Sequence, residues 1–354
     1  MIEVTTPTPV AIEAVPGHVP GAPRPLLEVR DLAVTFRSRG RREVRAVDGV
    51  SLDVAAGSTV GIVGESGSGK SVTSLAAMGL LGRRGVEITG SVRFDGRDLL
   101  NMPQDELRGV RGKEIAMVFQ DPMSSLNPVL TVGRQLIEVL ERHRALKGAE
   151  AREVAADLLV SVGIGDAVRR LKTFPHQLSG GMRQRVMIAM ALACQPRLII
   201  ADEPTTALDV TISAQILELL RSLVVGSQTA LVLITHDLGV VAGLCDQVHV
   251  MYSGRIVESA PRRALFADPQ HPYTTGLLAS VPRLDQPRGV PLLPIPGSPS
   301  DTLPWAQGCA FSPRCTRAVD ACLGAPPPLE PAAVERHLVR CVNPVPVTTG
   351  REDA

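Results

Sequence analysis

Short apolar runs separated by polar turns recur along the first two thirds of the chain. Residues 26–36 and 46–54 alternate apolar and polar side chains, which is the pattern of strands with one buried face. Denser apolar runs indicate further strands at 58–63, 90–99, 114–119, 197–201, 229–234, 248–252 and 255–258. Helical runs separate several of these strands, so the pattern predicts an α/β fold.

Helical spacing dominates residues 123–175. Apolar residues recur there three or four positions apart, at Val132, Leu136, Ile137 and Leu140 and again at Val154, Leu158, Leu159 and Val162. Runs at 72–81 and 211–223 also predict helices. The apolar stripes most simply face a core.

Composition narrows the possible functions. The chain has 354 residues, enough for one or two domains, and its 37 Lys and Arg balance 36 Asp and Glu. It therefore lacks the positive excess that nucleic-acid binding requires. No apolar run approaches the length of a membrane span, and the first basic side chain is Arg24, so we expect no secretory signal and a location in the cytosol.

A glycine-rich loop at 64–71, GESGSGKS, fits the spacing of a phosphate-binding P-loop. A predicted strand precedes it and a predicted helix follows it, as the motif requires. Its glycines let backbone N–H groups curl around phosphates, Lys70 would neutralise the β and γ oxygens, and the Ser71 hydroxyl would bind Mg²⁺. The candidate nucleotide-binding residues of the loop are Gly64, Ser66, Gly67, Ser68, Gly69, Lys70, Ser71 and Val72.

Two further chemical devices lie within 178–209. The first is a glycine pair before a helical run, where bare N–H groups make an anion site without a lysine. The second is an acidic pair after the strand at 197–201, where an α/β sheet places a metal-holding carboxylate and a base. The candidate residues are Ser179, Gly180, Gly181, Asp202 and Glu203. Both devices require a nucleotide, which the P-loop would hold.

The stretches LSGGMRQR at 178–185 and ADEPTTALD at 201–209 resemble the signature sequence and the Walker B and D-loop motifs of ATP-binding-cassette transporters. The chain is similar to the nucleotide-binding subunits of that family over 26–280. The signature wording and the C-terminal tail are closest to the dipeptide/oligopeptide (peptide/nickel) importer subfamily. The resemblance implies a P-loop NTPase cassette with a RecA-like core, an antiparallel β subdomain and a helical subdomain, followed by a small irregular extension that contains cysteines.

The resemblance also implies roles for single residues. Gln120 matches the Q-loop glutamine, His236 the switch histidine and Asp209 the D-loop aspartate. With Glu203 as the base that orients the attacking water, Gln120 and His236 complete the catalytic set.

Two more assignments concern the nucleotide and its metal. Asp202 would hold Mg²⁺ together with Ser71. Phe36 falls where an aromatic residue of the family's antiparallel sheet stacks on adenine, although many relatives have tyrosine there; the alternative is a core residue.

Function and partners follow from the resemblance. It implies an ATPase subunit, with ATP and Mg²⁺ as its cofactors, that drives uptake of dipeptides or oligopeptides. The partners would be two transmembrane permease subunits, a second and usually different cassette chain, and, indirectly, an extracytoplasmic substrate-binding protein; no nucleic acid is expected. The signature segment of one cassette would cover the γ-phosphate bound to the other. The chain would lie peripherally on the cytoplasmic face of the inner membrane.

Other functions stay open. A nickel-chelate or glutathione importer would use the same kind of cassette. A soluble cassette acting on nucleic acid or ribosomes is disfavoured by the single cassette and the balanced charge. A regulatory module that only binds ATP would need neither Glu203 nor His236.

The predicted organisation has four parts. Residues 1–25, rich in Pro, Ala, Val and Thr, form a disordered tail, and the cassette spans 26–262, with its helical subdomain at about 121–180. The extension spans 263–345, and 346–354 form a second tail.

Four of the six cysteines fall in the extension, at Cys309, Cys315, Cys322 and Cys341. Peptide-importer cassettes with a similar tail resemble proteins proposed to carry an iron–sulfur cluster, and four thiolates suit a [4Fe–4S] centre or zinc. The alternative is four reduced, unligated cysteines in a packed tail. The loose spacing differs from the close pairs of a zinc ribbon. Nothing in the sequence connects this segment to the ATP site, so we expect a structural or assembly role for it.

Overall fold

The computed structural model describes residues 24–37, 40, 43–82, 84–224, 228–281, 294–299, 307–332 and 336–346. Apart from positions 24, 25 and 346, the two predicted tails lie outside these residues. The fold that the described residues adopt is mixed α/β, with two sheets and surrounding helices, as the apolar pattern predicts.

The strands of the described residues form a small sheet and a large one. They are β1 (Leu27–Phe36), β2 (Val44–Val54), β3 (Thr59–Val63), β4 (Val86–Phe94), β5 (Arg97–Asp98), β6 (Ile115–Val118), β7 (Leu198–Asp202), β8 (Ala230–Thr235), β9 (Gln247–Tyr252), β10 (Arg255–Pro261), β11 (Glu330–Pro331) and β12 (Leu338–Val339).

The helices lie between and beside these strands. They are α1 (Lys70–Ala77), α2 (Gln104–Val110), α3 (Pro122–Ser125), α4 (Val132–Arg144), α5 (Gly148–Ser161), α6 (Ala167–Arg170), α7 (Gly180–Leu192), α8 (Val210–Val224), α9 (Leu238–Leu244), α10 (Arg262–Ala267) and α11 (Pro272–Ala279).

The small sheet is antiparallel, in the order β2-β1-β4-β5. The alternation in β1 buries Leu27, Val29, Leu32 and Val34 on one face. These side chains share a core with Ala76 of α1 and with apolar residues of the large sheet. Helix α1, which begins in the P-loop, therefore lies between the two sheets.

The large sheet has the order β11-β12-β10-β9-β3-β8-β7-β6, with β9, β3, β8, β7 and β6 parallel. Val63 lies opposite Thr235, and Asp202 lies opposite Ile234. Because parallel strands end at one edge, the P-loop, the acidic pair and His236 all leave the sheet at the same place.

The helical stripes face a core, as their spacing predicts. Leu136 and Leu140 of α4 and Leu159 of α5 are fully buried in one apolar cluster with residues of α7 and of the large sheet. The helical region therefore packs onto the strands that carry the site.

The extension joins the cassette sheet. Strand β12 pairs antiparallel with β10, so that Glu258 lies opposite Val339 and Ser259 opposite Leu338. Phe311 is buried in the main apolar cluster. A segment with little apolar periodicity of its own thus obtains its core from the cassette. No helix in the described part of the chain combines the length and the apolar character that a membrane span requires.

Candidate nucleotide-binding and hydrolysis site

The P-loop between β3 and α1 needs glycine at two positions where other backbone comes close. Gly64 has φ 155°, and a Cβ atom there would lie 2.1 Å from the carbonyl oxygen of Met251. Gly69 has φ 100°, and its Cβ would lie 2.3 Å from the carbonyl oxygen of Ala46. Any larger residue would push the loop off the strands beneath it.

Lys70 lies buried inside this loop. Its Nζ donates to the carbonyl oxygens of Gly64 at 2.7 Å and Glu65 at 2.9 Å, and to Ser68 Oγ at 3.4 Å. Burial lowers the pKa of Lys70, while the carboxylates of Glu203, Asp202 and Glu65 raise it. The loop carbonyls hold the ammonium group where a phosphate oxygen could replace them.

Ser71 and Asp202 meet across the sheet edge. The Ser71 hydroxyl donates to Asp202 Oδ1 at 2.9 Å, although the two residues lie 131 positions apart. Burial raises the pKa of Asp202, and the Ser71 hydrogen bond opposes that rise. A hydroxyl and a carboxylate oxygen are hard ligands of the kind that Mg²⁺ prefers, so the pair fits the predicted metal.

Glu203 follows Asp202 directly and stands at the centre of a polar cluster. Its Oε2 accepts hydrogen bonds from Gln120 Nε2 at 3.0 Å and Thr206 Oγ1 at 2.8 Å. Its Oε1 lies 3.4 Å from His236 Nδ1. The three predicted catalytic residues, Glu203, Gln120 and His236, therefore lie together. The side chains around Glu203 hold its carboxylate at the edge of the sheet.

The backbone at Glu203 is strained. Its φ is 46°, in the left-handed region that side-chain-bearing residues rarely occupy, and its N–H donates to the Ile234 carbonyl oxygen at 2.8 Å. Strain of this kind persists where surrounding contacts enforce it, and it is concentrated at functional sites.

The signature segment contacts the D-loop. Ser179 caps α7, with its Oγ accepting the Met182 N–H at 3.3 Å. A Cβ atom on Gly181 would lie 2.5 Å from Ile212 Cγ2, so glycine is needed for this contact. Asp209 Oδ1 accepts the Ile212 N–H at 2.9 Å. In the described residues no hydrogen bond or ion pair joins Ser179 to the P-loop.

Comparisons with known proteins agree with this geometry. A sequence model described as "ABC transporter" matches residues 47–206, and one described as "Oligopeptide/dipeptide transporter, C-terminal region" matches residues 257–322. The chain is 53% identical over 327 residues to the oligopeptide transport ATP-binding protein OppD of Salmonella typhimurium, covering 92% of this chain and 96% of that protein. The chain belongs to the ATP-binding-cassette transporter family.

Other relatives are consistent with this membership. The OppD protein of Haemophilus influenzae is 51% identical over 302 residues, which cover 85% of this chain and 93% of that protein. Among solved structures, the dimeric ATP-binding cassette MJ0796 in a post-hydrolysis state bound to ADP and Pi matches with a TM-score of 0.60 and 31% identity. That match covers 67% of this chain and 99% of the solved cassette. The predictions of family, cassette fold and ATPase activity are confirmed.

The remaining predicted site residues of the cassette differ in exposure. Phe36 is half-buried at the end of β1 and packs against the smaller core, and Val72 is half-buried in α1. Ser66 and Gly67 are exposed, whereas Ser68 is buried. Stacking of Phe36 on adenine stays a prediction.

Sequence reasoning did not single out Thr206. It lies three residues after Glu203, and its N–H donates to the Glu203 carbonyl oxygen at 3.1 Å in the same turn that brings its hydroxyl to the carboxylate. A threonine three positions after the predicted catalytic glutamate is the local signal that could have indicated it.

The predicted metal site of the extension is not supported. The four cysteines are free thiols within electrostatic range of one another. Among the described residues, however, no group of three or more His, Cys, Asp or Glu side chains is arranged to hold a metal ion. Burial raises the thiol pKa at three of them: Cys309, Cys315 and Cys341. The described residues therefore give no support for a [4Fe–4S] cluster or a zinc ion in the extension.

The extension contacts the P-loop, a connection that the sequence did not indicate. Arg314, the neighbour of Cys315, forms a bidentate ion pair with Glu65 of the P-loop at 2.6 and 2.9 Å. The two residues are 249 positions apart, so no local pattern could have revealed the contact.

Proposed function

We propose that this cassette hydrolyses ATP to drive an importer of dipeptides or oligopeptides. The observation that carries the hydrolytic part is the set of contacts to Glu203, made by Gln120, Thr206 and His236 beside the Ser71–Asp202 pair. The peptide substrate rests on the identity with oligopeptide transport ATP-binding proteins and on the match of the transporter C-terminal region to residues 257–322.

The residues would act in the following way. The P-loop N–H groups and Lys70 would bind the phosphates, and Lys70 would exchange its carbonyl partners for phosphate oxygens. Ser71 and Asp202 would hold Mg²⁺, which neutralises charge on the transferred phosphoryl group.

Glu203 would orient the attacking water and take up its proton. Hydrogen bonds from Gln120 and Thr206 hold its Oε2 in place, and a base needs such a fixed orientation towards the water that it activates. Its second oxygen faces His236, whose side chain is 60% exposed and so is free to meet a phosphate.

A second cassette would complete the site. The Ser179 segment is the N-terminus of α7, an anion site without a lysine, and it lies beside the D-loop. In a pair of cassettes it would cover the γ-phosphate on the partner's P-loop. The solved relative described as dimeric supports this arrangement, and the subfamily's use of two different chains favours a heterodimer.

The finer assignments of partners follow from the same family. Two transmembrane permease subunits would hold the cassette pair at the cytoplasmic face of the inner membrane, and an extracytoplasmic binding protein would deliver the substrate to them. The relatives named as oligopeptide transport ATP-binding proteins support this placement.

The hydrolytic proposal is tested by replacing Glu203 with Gln in the assembled importer. ATP binding should be retained, whereas hydrolysis should fall by about 100-fold or more, the range for a positioned base. Glu153→Gln, the same change on an exposed residue of α5, is the control and should hydrolyse ATP normally. Near-normal turnover of the Glu203 variant would remove it as the base.

The substrate is tested separately. The importer in liposomes is supplied with its binding protein loaded with dipeptides, longer peptides, a nickel chelate or glutathione, and ATP hydrolysis is measured. Stimulation by peptides alone is the expected result. Stimulation only by nickel chelate or glutathione would overturn the peptide assignment and leave the ATPase assignment intact.

A further inference from the structure

Every polar group of Glu65, the second residue of the P-loop, has a partner. Its N–H donates to the Tyr273 hydroxyl at 2.8 Å. Its carbonyl oxygen accepts from Lys70 Nζ at 2.9 Å and from the Ser68 N–H at 3.2 Å. Its carboxylate accepts both Nη groups of Arg314. Two of these four partners, Tyr273 and Arg314, come from outside the nucleotide-binding core, in the segment that we predicted as the extension.

Arg314 is held as firmly as the glutamate that it binds. Its side chain is 2% exposed, and its Nε donates to the Pro296 carbonyl oxygen at 2.9 Å. The guanidinium carbon lies 5.8 Å from the ring centre of Tyr252 and 5.9 Å from that of Phe311. A planar cation packed on aromatic rings and bound to a carboxylate in fork geometry has little freedom to move.

Tyr273 is equally fixed. It is fully buried in the first turn of α11, where its N–H donates to His271 Nδ1 at 3.1 Å. Its ring packs edge-on against Tyr252 with centroids 4.7 Å apart. The Tyr273 hydroxyl that accepts the Glu65 N–H is therefore held in a fixed position.

We propose that Arg314 and Tyr273 are positioning residues for the nucleotide site: they clamp Glu65 and so keep the P-loop in the shape that receives phosphates. This inference rests on the proposed ATPase function. Neither residue needs to touch the nucleotide. A glycine-rich loop loses much conformational entropy when it is ordered, and a loop that is ordered in advance does not draw that loss from the binding energy of the ligand.

The clamp should matter most when ATP is bound. In the structure Lys70 also holds the loop, through the carbonyl oxygens of Gly64 and Glu65. When its ammonium group turns to a phosphate, these bonds are given up. The attachments of Glu65 that remain are the Ser68 N–H and the two from the extension.

The test compares two arginines of the extension in the full chain. Arg314→Met removes the side-chain half of the clamp on Glu65, and Arg317→Met is the matched control, because the side chain of Arg317 hydrogen-bonds only to Asn343 and Pro344 in the described residues. We expect the Kd for MgATP to rise about tenfold or more in the first variant, as for the loss of one charge-assisted pair, and less than about twofold in the second. Arg314→Lys, which keeps the charge without the fork, should fall between wild type and Arg314→Met.

Two readouts separate positioning from general damage. In the assembled importer Arg314→Met should raise KM for ATP while kcat stays within about threefold, because the groups around Glu203 are untouched. In a double-mutant cycle Glu65→Gln should weaken ATP binding, and the double variant should be no weaker than the worse single variant.

The outcomes are distinct. Equal ATP affinity of the two arginine variants, or additive effects in the cycle, would overturn the inference. So would equal weakening of both variants together with a lower melting temperature, since that result would mean that any damage to the extension suffices. A wild-type chain that binds no ATP would count against the proposed function itself.

Discussion

His249 provides a direct test of how burial sets the pH dependence of stability. It lies in β9, in the middle of the large sheet, opposite Ser259 on one side and Ile62 on the other. Its side chain is buried, and neither ring nitrogen has a hydrogen-bond partner among the described residues. Burial lowers the pKa of His249 to about 4 from its ordinary value of 6.5.

The sign of the effect follows from proton linkage. The unfolded chain binds a proton at this histidine below pH 6.5, whereas the folded chain does so only near pH 4. The contribution of His249 to the free energy of unfolding is therefore fully present above pH 6.5 and is lost as the pH falls towards 4. Between pH 7.5 and 5.5 one such histidine lowers the free energy of unfolding by about 1 kcal/mol.

Replacing His249 with Leu should have two consequences. At pH 7.5 the variant should be more stable by about 1 kcal/mol, because an unpartnered buried imidazole is exchanged for an apolar group of similar size. From pH 7.5 to 5.5 its free energy of unfolding should fall by about 1 kcal/mol less than that of the wild type. Urea unfolding of the full chain, followed by circular dichroism at both pH values, measures both quantities.

Two other histidines provide the comparison. The pKa of His271 is also lowered to about 4, mainly by burial, so wild type and variant should share its contribution. His176 is exposed, and His176→Leu controls for the same substitution made at the surface. An equal loss of stability with falling pH in wild type and His249→Leu would refute the reasoning.

Two further predictions concern other buried contacts. Thr206→Val should lower kcat about tenfold with little change in KM for ATP, because it removes the hydroxyl that donates to Glu203, and steady-state hydrolysis by the assembled importer checks this. Glu258→Gln should lower the free energy of unfolding by about 3 kcal/mol, because the fully buried carboxylate accepts two backbone N–H groups and lies 2.6 Å from His337, which one amide oxygen cannot replace. Unchanged kcat, or an unchanged urea midpoint, would contradict the respective argument.

Sequence could predict the parts of the site whose chemistry is local. The P-loop is a continuous stretch in which a strand, a turn and a helix follow one another, so Lys70 and Ser71 are evident from spacing alone. The meeting of Ser71 with Asp202 follows from a general rule, since parallel strands end at one edge of a sheet. The residues of such a contact lie far apart in the sequence, but the topology of the sheet brings them together.

Contacts that no pattern encodes could not be predicted. The β11 and β12 strands have two residues each, too few to show an alternation. The Arg314–Glu65 pair is determined by how the extension folds back over the cassette, and neither residue stands in a period or motif that indicates its partner. The four cysteines of the extension suggested metal binding. The contacts that the structure shows for this segment are instead the Arg314–Glu65 ion pair and the packing of Phe311.

The extension is attached at two places, and the chemistry of both makes its docking sensitive to small changes. At the sheet edge Glu258 and His337 are both fully buried, and at the P-loop Arg314 is almost fully buried against Glu65. Loss of one partner from either pair leaves a buried polar or charged group without compensation, which is costly. Partial undocking would therefore be unfavourable compared with full docking or full release. Since Glu65 belongs to the loop that would bind phosphate, the shape of that loop depends on whether the extension is docked.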